Sequence, residues 1–499
     1  MALTLIIIYT LALIFIFVYS MIQLDLVIHY LRFHKNKTTS QKFAPVNLED
    51  KDLPFVTVQL PIFNEMYVVE RLIDNIARFD YPKDKFEIQV LDDSTDETVE
   101  ISRGKVNEWK EKGINIELVT RTNRVGFKAG ALSEGLKTAR GEFIAIFDAD
   151  FVPGADFLKR TVPYFISDPN IGVVQTRWEH LNKNYSILTK IQAFALDAHF
   201  TVEQQGRNAG GYFINFNGTA GVWRRKTIDD AGGWASDTLT EDLDLSYRAQ
   251  IKGWKFKYLE DVGAPAELPV AMNAIKSQQF RWTKGGAETA RKNISRIWKS
   301  NVSLSQKFHG TAHLLNSQVF LFTLICSILS VPLLLIKNVM PNFSTWFALL
   351  TIFITCFVVL GLFYYCSIYR RFPTRMRAVG YLFSVFPIFL SMSMGISLHN
   401  TIAVLEGLLG FKSPFIRTPK FNVTKTNKNW KSNKYLEQKI SGRTWLEIFL
   451  SIYFLFGVIV AFLIKDFGLF PFHVMLFAGF GMVSFFTVKH TRVAKATAN

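Results

Sequence analysis

Six apolar runs constrain this chain more than any other feature of its sequence. The first covers Ala2 to Met21 without a charged residue, and five more lie near 314–336, 343–366, 378–398, 445–464 and 468–488. Each run is long enough to cross a bilayer as a helix, because the hydrocarbon core needs about 20 apolar residues. The sequence therefore predicts a multi-pass integral membrane protein with one large polar segment between the first run and the others.

The charged residues beside these runs predict the side on which the polar segment lies. Lys and Arg favour the cytosolic side and bind anionic lipid, and Arg32, Lys35 and Lys37 follow the first run. The formal net charge of +16 raises nucleic acid as an alternative partner, but the sequence contains no nucleic-acid recognition motif. We therefore expect a cytosolic domain, membrane lipid as a partner and no nucleic acid.

The predicted division of the chain is a transmembrane anchor at 1–29, a cytosolic domain with interfacial helices at 30–310, and a transmembrane region at 311–499. The first run is interpreted as an anchor because it lacks a basic start and an A-x-A-like cleavage site. All three cysteines lie in or next to apolar runs. The polar segment therefore has no disulfide framework, which fits a reducing compartment.

Short apolar runs alternate with helical patterns in the first part of the polar segment. The predicted strands are 55–60, 86–91, 114–119 and 143–147, and the predicted helices are 65–78, 95–112 and 128–139. Strands that alternate with helices form a mostly parallel sheet. We therefore expect an α/β domain that binds its ligands at the carboxyl ends of the strands.

Two carboxylates, Asp148 and Asp150, follow the buried strand at 143–147. Neighbouring carboxylates repel each other unless a cation joins them, and oxygen ligands suit Mg²⁺ or Mn²⁺, which usually also hold substrate phosphates. An isolated D-x-D is more often a solvated turn. Only residues elsewhere at the same sheet edge make this pair a predicted metal site.

Such residues follow the other strands. Asp92 and Asp93 end the second strand. They could accept hydrogen bonds from a base or ribose, or they could cap the helix after Ser94. Both interpretations hold if one of the two carboxylates binds the nucleoside and the other caps the helix. Lys128 lies at a helix start among small residues, which suits a diphosphate. The alternative for Lys128 is an ordinary exposed cation.

Two later stretches add candidate residues. Asp242, in the stretch Thr240-Glu241-Asp242, is a candidate general base, although acids near a helix start are favourable in any case. Residues i and i+2 of a helix point about 200° apart, so we expect one acid of this stretch to face the site. The second stretch is Gln278 to Trp282, in which Arg281 could neutralise a diphosphate and Trp282 could stack on a sugar. The alternative for this stretch is a helix at the membrane surface.

These motifs together resemble the membrane-embedded, processive family 2 glycosyltransferases, which include cellulose, chitin, hyaluronan and mannan synthases. The resemblance covers roughly 55–310, and Gln175-Thr176-Arg177-Trp178 with Phe280 is most similar to the mannan-synthase-like and xyloglucan-backbone-like branch. It implies a GT-A-type α/β domain inserted between transmembrane helices, a nucleotide sugar of the UDP-glucose or GDP-mannose type, a divalent cation and a β-linked product. The motif Phe216-Asn217-Gly218-Thr219 departs from the F-C-G-S of cellulose synthases at Asn217.

The resemblance also implies a role for each matching residue. The nucleotide sugar would be held by Asp92, Asp93, Lys128, Asp148, Asp150 and Arg281, with the metal on Asp148 and Asp150. Asp242 would be the base that takes the acceptor proton. The acceptor would be bound by Gln278, Trp282, Asn217 and Gly218.

The basic segment 411–443 allows two interpretations. Phe415-Ile416-Arg417-Thr418-Pro419-Lys420 resembles the family's gating loop, and Phe421-Asn422-Val423-Thr424 keeps half of that motif but has Thr426 in place of lysine. A polybasic lipid-binding loop is the alternative. Charge places this segment on the same side as the domain, which requires the run 378–398 to return. Pro387 is therefore predicted to break this run into a re-entrant or tilted hairpin. The competing count makes this run a full span.

The leading prediction is inverting, processive transfer of a sugar to a growing β-linked glucan or mannan, with export through the protein's own membrane helices. The alternative is non-processive transfer of one sugar to a lipid. A non-catalytic membrane scaffold is the third possibility, which the complete set of motifs disfavours.

Overall fold

The computed structural model describes residues 2–36, 46, 48–340, 344–413, 417–423, 430–431, 433–436 and 439–498. Within these residues, an α/β domain follows a long first helix and precedes a group of membrane-length helices. The first helix extends to Lys35, so it continues beyond the predicted anchor boundary at 29.

The domain is built on a seven-stranded sheet. Its strands are β1 (Val56–Ile62), β2 (Phe86–Asp92), β3 (Ile116–Thr120), β4 (Phe143–Ile146), β5 (Ile171–His180), β6 (Gly221–Arg224) and β7 (Lys255–Ala266). Their order is β3-β2-β1-β4-β6-β5-β7, and only β6 runs antiparallel to its neighbours. The predicted mostly parallel sheet is confirmed, and the four predicted strands match the observed ones to within two residues.

Central position in the sheet explains the apolar character of β1, β2 and β4. Val56 of β1 pairs with Phe86 of β2 on one side and with Phe143 of β4 on the other. All of β2 and β4 is buried, as expected for parallel strands that are covered on both faces. Because these strands are in parallel register, the residues after them meet at one edge of the sheet.

Helices cover both faces of the sheet and continue into the membrane region. In chain order the helices are α1 (Ala2–Lys35), α2 (Val69–Ile76), α3 (Thr98–Glu111), α4 (Phe127–Thr138), α5 (Phe157–Thr161), α6 (Pro163–Ser167), α7 (Ile187–Ala198), α8 (Gln204–Ala209), α9 (Arg225–Asp230), α10 (Glu241–Ile251), α11 (Met272–Lys299), α12 (Leu304–Leu314), α13 (Val319–Val339), α14 (Ser344–Leu350), α15 (Ile354–Ile368), α16 (Arg375–Gly395), α17 (Ser397–Leu409), α18 (Gly442–Leu463) and α19 (Phe470–Ala498). A π-helical turn, His199–Glu203, joins α7 to α8.

Among the described residues, six helical segments are long and apolar enough to cross a membrane. They are Ala2–Lys35, Gln318–Val339, Thr345–Arg371, Arg375–Gly395, Gly442–Leu463 and Phe470–Lys495. These segments coincide with the six apolar runs of the sequence and support the predicted multi-pass membrane protein.

The predicted break at Pro387 is wrong. Helix α16 continues through Pro387 as one helix of 21 residues. A proline inside a helix removes one backbone hydrogen bond, but packing against neighbouring helices can hold the helix together. Here α16 packs along α19, where the backbones of Gly395 and Gly479 approach so closely that a Cβ on Gly395 would lie 2.3 Å from the Gly479 carbonyl oxygen.

Continuity of α16 does not carry the basic segment away from the domain. Before α16, Arg371 contacts Asp197 of α7. After α16, His399 of α17 donates to the Lys276 carbonyl of α11 at 3.0 Å. Helix α16 therefore begins and ends beside elements of the domain, and its end reaches only midway along the apolar part of α19.

The described part of the basic segment lies against the domain itself. Lys420 pairs with Asp150 at 2.8 Å, and Tyr435 donates to Asp96 just before α3. The competing interpretation, in which a complete crossing by 378–398 puts this segment on the opposite side, is inconsistent with these contacts. Phe415, Ile416, Thr424 and Thr426 lie outside the described residues.

The topology predicts a labelling pattern for single cysteines. In sealed vesicles that expose the domain, Lys412→Cys should react with a membrane-impermeant maleimide, because Lys412 is exposed and precedes segments that touch the domain. Asn338→Cys, exposed at the far end of α13, should react only after permeabilisation and is the matched control. Labelling of the native cysteines by the maleimide should be low, because these cysteines are buried. The reverse pattern would contradict this topology.

Candidate functional site

A cleft opens at the carboxyl ends of the central strands and collects most of the predicted residues. Its lining includes Asp93, Lys128, Asp148, Asp150, Asn217, Gly218, Asp242, Gln278, Arg281 and Trp282. These residues come from strand ends and helices that are far apart in the sequence, and the fold brings them together.

Asp92 is the one predicted residue that the cleft lining does not include. Its side chain is buried, and its two oxygens accept hydrogen bonds from the Ser94 backbone at 2.8 Å and the Ser102 hydroxyl at 2.6 Å. Asp92 therefore fixes the turn between β2 and α3, and its predicted contact with the nucleotide sugar is not supported. Asp93 faces the cleft and accepts from Arg121 Nε at 2.9 Å.

Each carboxylate of the D-x-D pair is joined to a lysine. Lys128, at the start of α4, donates to Asp148, and Lys420 contacts Asp150 at 2.8 Å. Burial alone would lower the pKa of Lys128, but Asp148 and Glu241 outweigh burial and raise that pKa. The pair therefore lies between two permanent positive charges, which reduce the mutual repulsion of the carboxylates.

Gly218 brings the backbone close to both the lysine and the candidate base. Its carbonyl accepts from Lys128 at 2.9 Å. Its φ of +78° is unfavourable for residues that carry a Cβ, and a Cβ here would lie 2.8 Å from Asp242 Oδ2. Glycine at this position therefore keeps space in front of the Asp242 carboxylate.

The expectation that one acid of helix α10 faces the cleft is wrong. Glu241 and Asp242 both line it, whereas Asp244 points away and pairs with Arg248 at 2.8 Å and Lys292 at 3.0 Å. The opposite directions of Asp242 and Asp244 follow from helix geometry, as expected. Glu241 reaches the cleft because it is the first residue of the helix. Thr240 makes no capping hydrogen bond to this helix.

Burial gives Asp242 the properties of a base that works near neutral pH. Burial and, next, the neighbouring Glu241 raise the pKa of Asp242 to about 7. Burial also raises the pKa of Glu241. A carboxylate with a pKa near the working pH is well suited to accept a proton during a reaction.

Two acids that line the cleft had no role predicted from the sequence, although Glu65 was expected at this edge of the sheet. Glu65 follows β1, and burial raises its pKa to about 7 although Arg417 lies 3.4 Å away. Its position after a strand was the only sequence signal for it. Glu267 directly follows β7 and accepts from the Phe421 backbone at 3.0 Å. No local pattern marks Glu267, because its partners lie about 150 residues away in the sequence.

The basic segment closes one side of the cleft. Arg417, Thr418 and Lys420 line it, and Asn422 accepts from Arg71 of α2 at 2.7 Å. The resemblance to a gating loop was the sequence signal for these residues. Lipid binding by the same described residues is less consistent with their burial against the domain.

Another part of the cleft is lined by α11 and an aromatic cluster. Gln278, Arg281 and Trp282 share one face of α11 through their i, i+3 and i+4 spacing. The Trp282 ring lies 6.4 Å from that of Trp178, which also lines the cleft. This wall presents apolar ring faces beside a guanidinium, a combination that suits a sugar next to a phosphate.

The sequence and the fold are similar to those of known transferases. A family model described as "Glycosyltransferase like family 2" matches residues 54–285. Glucomannan 4-beta-mannosyltransferase 2 of Arabidopsis thaliana is 45% identical over 273 residues, which cover 53% of this chain and 51% of that protein. Glucomannan 4-beta-mannosyltransferase 7 of the same plant is 37% identical over 367 residues, 69% of this chain and 64% of that protein. The matched region thus spans between half and two thirds of these relatives.

One solved structure supports the fold. The mannosyltransferase PcManGT from Pyrobaculum calidifontis, in complex with GDP-Man and Mn²⁺, superposes with a TM-score of 0.50. It is 18% identical and covers 79% of this chain and all of that chain. The predicted GT-A-type α/β domain is thereby confirmed as a fold.

A pair of glycine variants tests whether Gly218 keeps space for Asp242. Gly218 and Gly113 have the same φ of +78°, but a Cβ on Gly113 would meet nothing within 4 Å. Gly113→Ala should lower the unfolding temperature by a few degrees, because a left-handed backbone costs a non-glycine residue about 1–2 kcal/mol. Gly218→Ala should lower it further, since Asp242 must also move. Equal decreases would contradict the proposed role of Gly218.

Proposed function

We propose that the chain transfers a hexose from a nucleotide sugar to a growing β-linked polysaccharide of the glucan or mannan type; the match of residues 54–285 to the model "Glycosyltransferase like family 2" supports this. The observation that carries this proposal is the convergence of Asp148, Asp150, Asp242 and Trp282 in one cleft. The names of the relatives favour mannose, and therefore a GDP-mannose type of donor.

Donor binding is assigned to the side of the cleft nearest the strand ends. Asp93 would accept hydrogen bonds from the nucleoside, while Lys128 and Arg281 would contact the diphosphate. A guanidinium and an ammonium stabilise the negative charge that develops on a departing phosphate. Lys128 is already charged and held at the start of α4, so little reorganisation is required.

The residues of the cleft fit a divalent cation that is shared with the donor. Among the described residues, no cluster of three or more His, Cys, Asp or Glu side chains could hold a metal alone. Asp148 and Asp150 would supply two oxygen ligands, and diphosphate oxygens would complete the shell, as is usual for Mg²⁺ and Mn²⁺. The cation would supply charge stabilisation on the leaving diphosphate. Lys420, which now contacts Asp150, would be free to reach a phosphate oxygen.

The reaction would be a single displacement with inversion. The oxygen of the acceptor hydroxyl forms a bond to the anomeric carbon, the bond from that carbon to the diphosphate oxygen breaks, and the electron pair leaves with the nucleoside diphosphate. Asp242 accepts the hydroxyl proton. Trp282 and Gln278 would hold the acceptor sugar, and Gly218 leaves room for it beside Asp242.

Processive synthesis and export are further parts of the proposal. Helix α11 carries Trp282 and packs along α17, and Lys276 of α11 pairs with Glu447 of α18 at 2.6 Å. The acceptor wall is thus continuous with the membrane helices, which suits a product that enters the membrane as it grows. Basic residues beside the helices favour a cytosolic domain and contacts with anionic lipid.

The direct test is nucleotide release by the purified protein from GDP-mannose, UDP-glucose and UDP-N-acetylglucosamine. We expect release from GDP-mannose with Mn²⁺ or Mg²⁺ and a high-molecular-weight product that a β-mannanase degrades. Chelator should abolish release, and added metal should restore it. Transfer of a single sugar to lipid would favour the non-processive alternative, and no release from any donor would contradict the proposal.

A pair of aspartate variants separates the metal site from general destabilisation. Asp150→Ala should abolish nucleotide release at every metal concentration. Asp156→Ala is the matched control, because Asp156 lies nearby in the chain but is exposed and outside the cleft. Full activity of Asp150→Ala would refute the metal assignment.

The base predicts both a variant phenotype and a pH profile. Asp242→Asn keeps the shape but removes basicity, so transfer should fall by roughly 10²–10⁴-fold while nucleotide binding is retained. Because the charged form of Asp242 is the active one and its pKa is raised to about 7, wild-type transfer should decline as the pH falls below about 7. Glu241→Gln should reduce transfer less. Substantial turnover by Asp242→Asn would exclude Asp242 as the base.

A further inference from the structure

The π-helical turn His199–Glu203 lies behind the acceptor side of the cleft and belongs to none of the motifs used above. It interrupts an otherwise continuous helix from α7 to α8. A π-helical turn costs regular backbone hydrogen bonding and is frequently found at functional sites. Two of its side chains connect it to residues that line the cleft.

The first connection runs through His199. Its Nε2 lies 3.3 Å from Asn217 Oδ1, and its Nδ1 lies 2.9 Å from Glu203 Oε2. Glu203 also pairs with the buried Arg207 at 3.1 Å. Burial raises the pKa of Glu203, but His199 and Arg207 outweigh burial and hold that pKa well below its usual range. The ionised Glu203 thus faces one ring nitrogen of His199, and the Asn217 amide oxygen faces the other.

The hydrogen bonds of Asn217 determine what its amide offers to the cleft. Its side-chain oxygen accepts from Asn215 Nδ2 at 2.8 Å and lies 3.3 Å from His199 Nε2. These two contacts occupy both lone pairs of the Asn217 oxygen. Its Nδ2 donates weakly to the Asn215 carbonyl at 3.4 Å and has a second N–H. Asn217 lines the cleft, so the group that it presents there is an N–H donor.

The second connection runs through aromatic rings. Phe200 of the same turn stacks on Trp178 at 4.9 Å, and Trp178 lies 6.4 Å from Trp282. One turn of helix therefore supports both the amide and the aromatic side of the acceptor wall.

We propose that His199, held by Glu203, is a positioning residue for the acceptor: it fixes the Asn217 amide so that its N–H binds the acceptor hydroxyl oxygen. An acceptor hydroxyl whose oxygen accepts a hydrogen bond from the Asn217 N–H points its own O–H away from Asn217. Asp242 lies beside Gly218, the next residue in the chain, and is the acceptor for that proton. This assignment rests on the proposed function, because it presumes that a sugar hydroxyl occupies this part of the cleft.

The test measures the acceptor and the donor steps separately in the full-length protein. His199→Phe keeps an aromatic ring of similar size but removes both hydrogen bonds. With β-1,4-manno-oligosaccharide as acceptor, kcat/KM for transfer should fall by roughly 10–100-fold, because the Asn217 amide loses the partner that holds it. Nucleotide affinity and the slow transfer to water should change less than about twofold, because His199 does not reach the donor side.

Two further variants exclude a general structural effect. His199→Gln retains a side-chain N–H for Asn217 and should recover part of the lost acceptor kcat/KM. His309→Phe is the matched control, because His309 stacks on Tyr212 at 3.6 Å in the same region without contacting Asn217. It should leave acceptor kinetics unchanged.

Each outcome decides the assignment. Wild-type acceptor kinetics in His199→Phe, or equal losses of nucleotide affinity and acceptor transfer, would overturn it. Failure of His199→Gln to recover any activity would also overturn it. If the wild-type protein releases no nucleotide from any sugar donor, the proposed function is wrong, and this assignment is wrong with it. If the wild-type protein is active and His199→Phe has normal acceptor kinetics, only this assignment is wrong.

Discussion

The gathering of negative charge at one edge of a buried sheet is the constraint on which the rest of the structure depends. Asp148, Asp150 and Asp242 lie in the same cleft as Glu65 and Glu241. Two like charges about 4 Å apart repel by roughly 4 kcal/mol at an effective dielectric constant of 20. Such a cluster persists only if cations are built in around it or if some of the acids hold protons. Two lysines contact Asp148 and Asp150, and burial raises the pKa of Glu65 and of Asp242 to about 7, which makes protonation of these two acids easier.

The two lysines of the cleft come from different parts of the chain, one from the domain and one from the membrane region. Lys128 comes from a helix of the domain, but Lys420 comes from the segment between α17 and the membrane-length helix α18. Charge balance in the cleft therefore requires a residue from outside the domain. Lys284 of α11 also pairs with Glu406 of α17 at 3.0 Å. The cleft is completed by the membrane region, so neither part has its full set of site residues alone.

The sequence predicted what depends on local pattern and missed what depends on contacts between distant segments. Alternation of apolar and helical stretches was sufficient for β1 to β4, and the strand ends gave Asp93, Asp148 and Asp150. The sequence does not distinguish Asp92 from Asp93, because both lie at the end of β2. The geometry of the following turn directs the Asp92 side chain into the protein and the Asp93 side chain into the cleft. Glu267 has no local signal. The prediction from helix rotation was wrong for Glu241, because the side chain of the first residue of a helix can extend along the helix axis as well as away from it.

The π-helical turn packs between the first helix and the residues that we propose to bind the acceptor. Gly206, just beyond the turn, lies so close to α1 that a Cβ there would be 2.5 Å from the Leu26 carbonyl oxygen. The turn is therefore held between α1 on one side and the wall residues Asn217 and Trp178 on the other. Close-packed elements transmit displacements because no free volume absorbs them. A shift of α1 along its axis would thus move His199 and Phe200 together, and with them the Asn217 amide and the Trp178 ring that we propose to form the acceptor site.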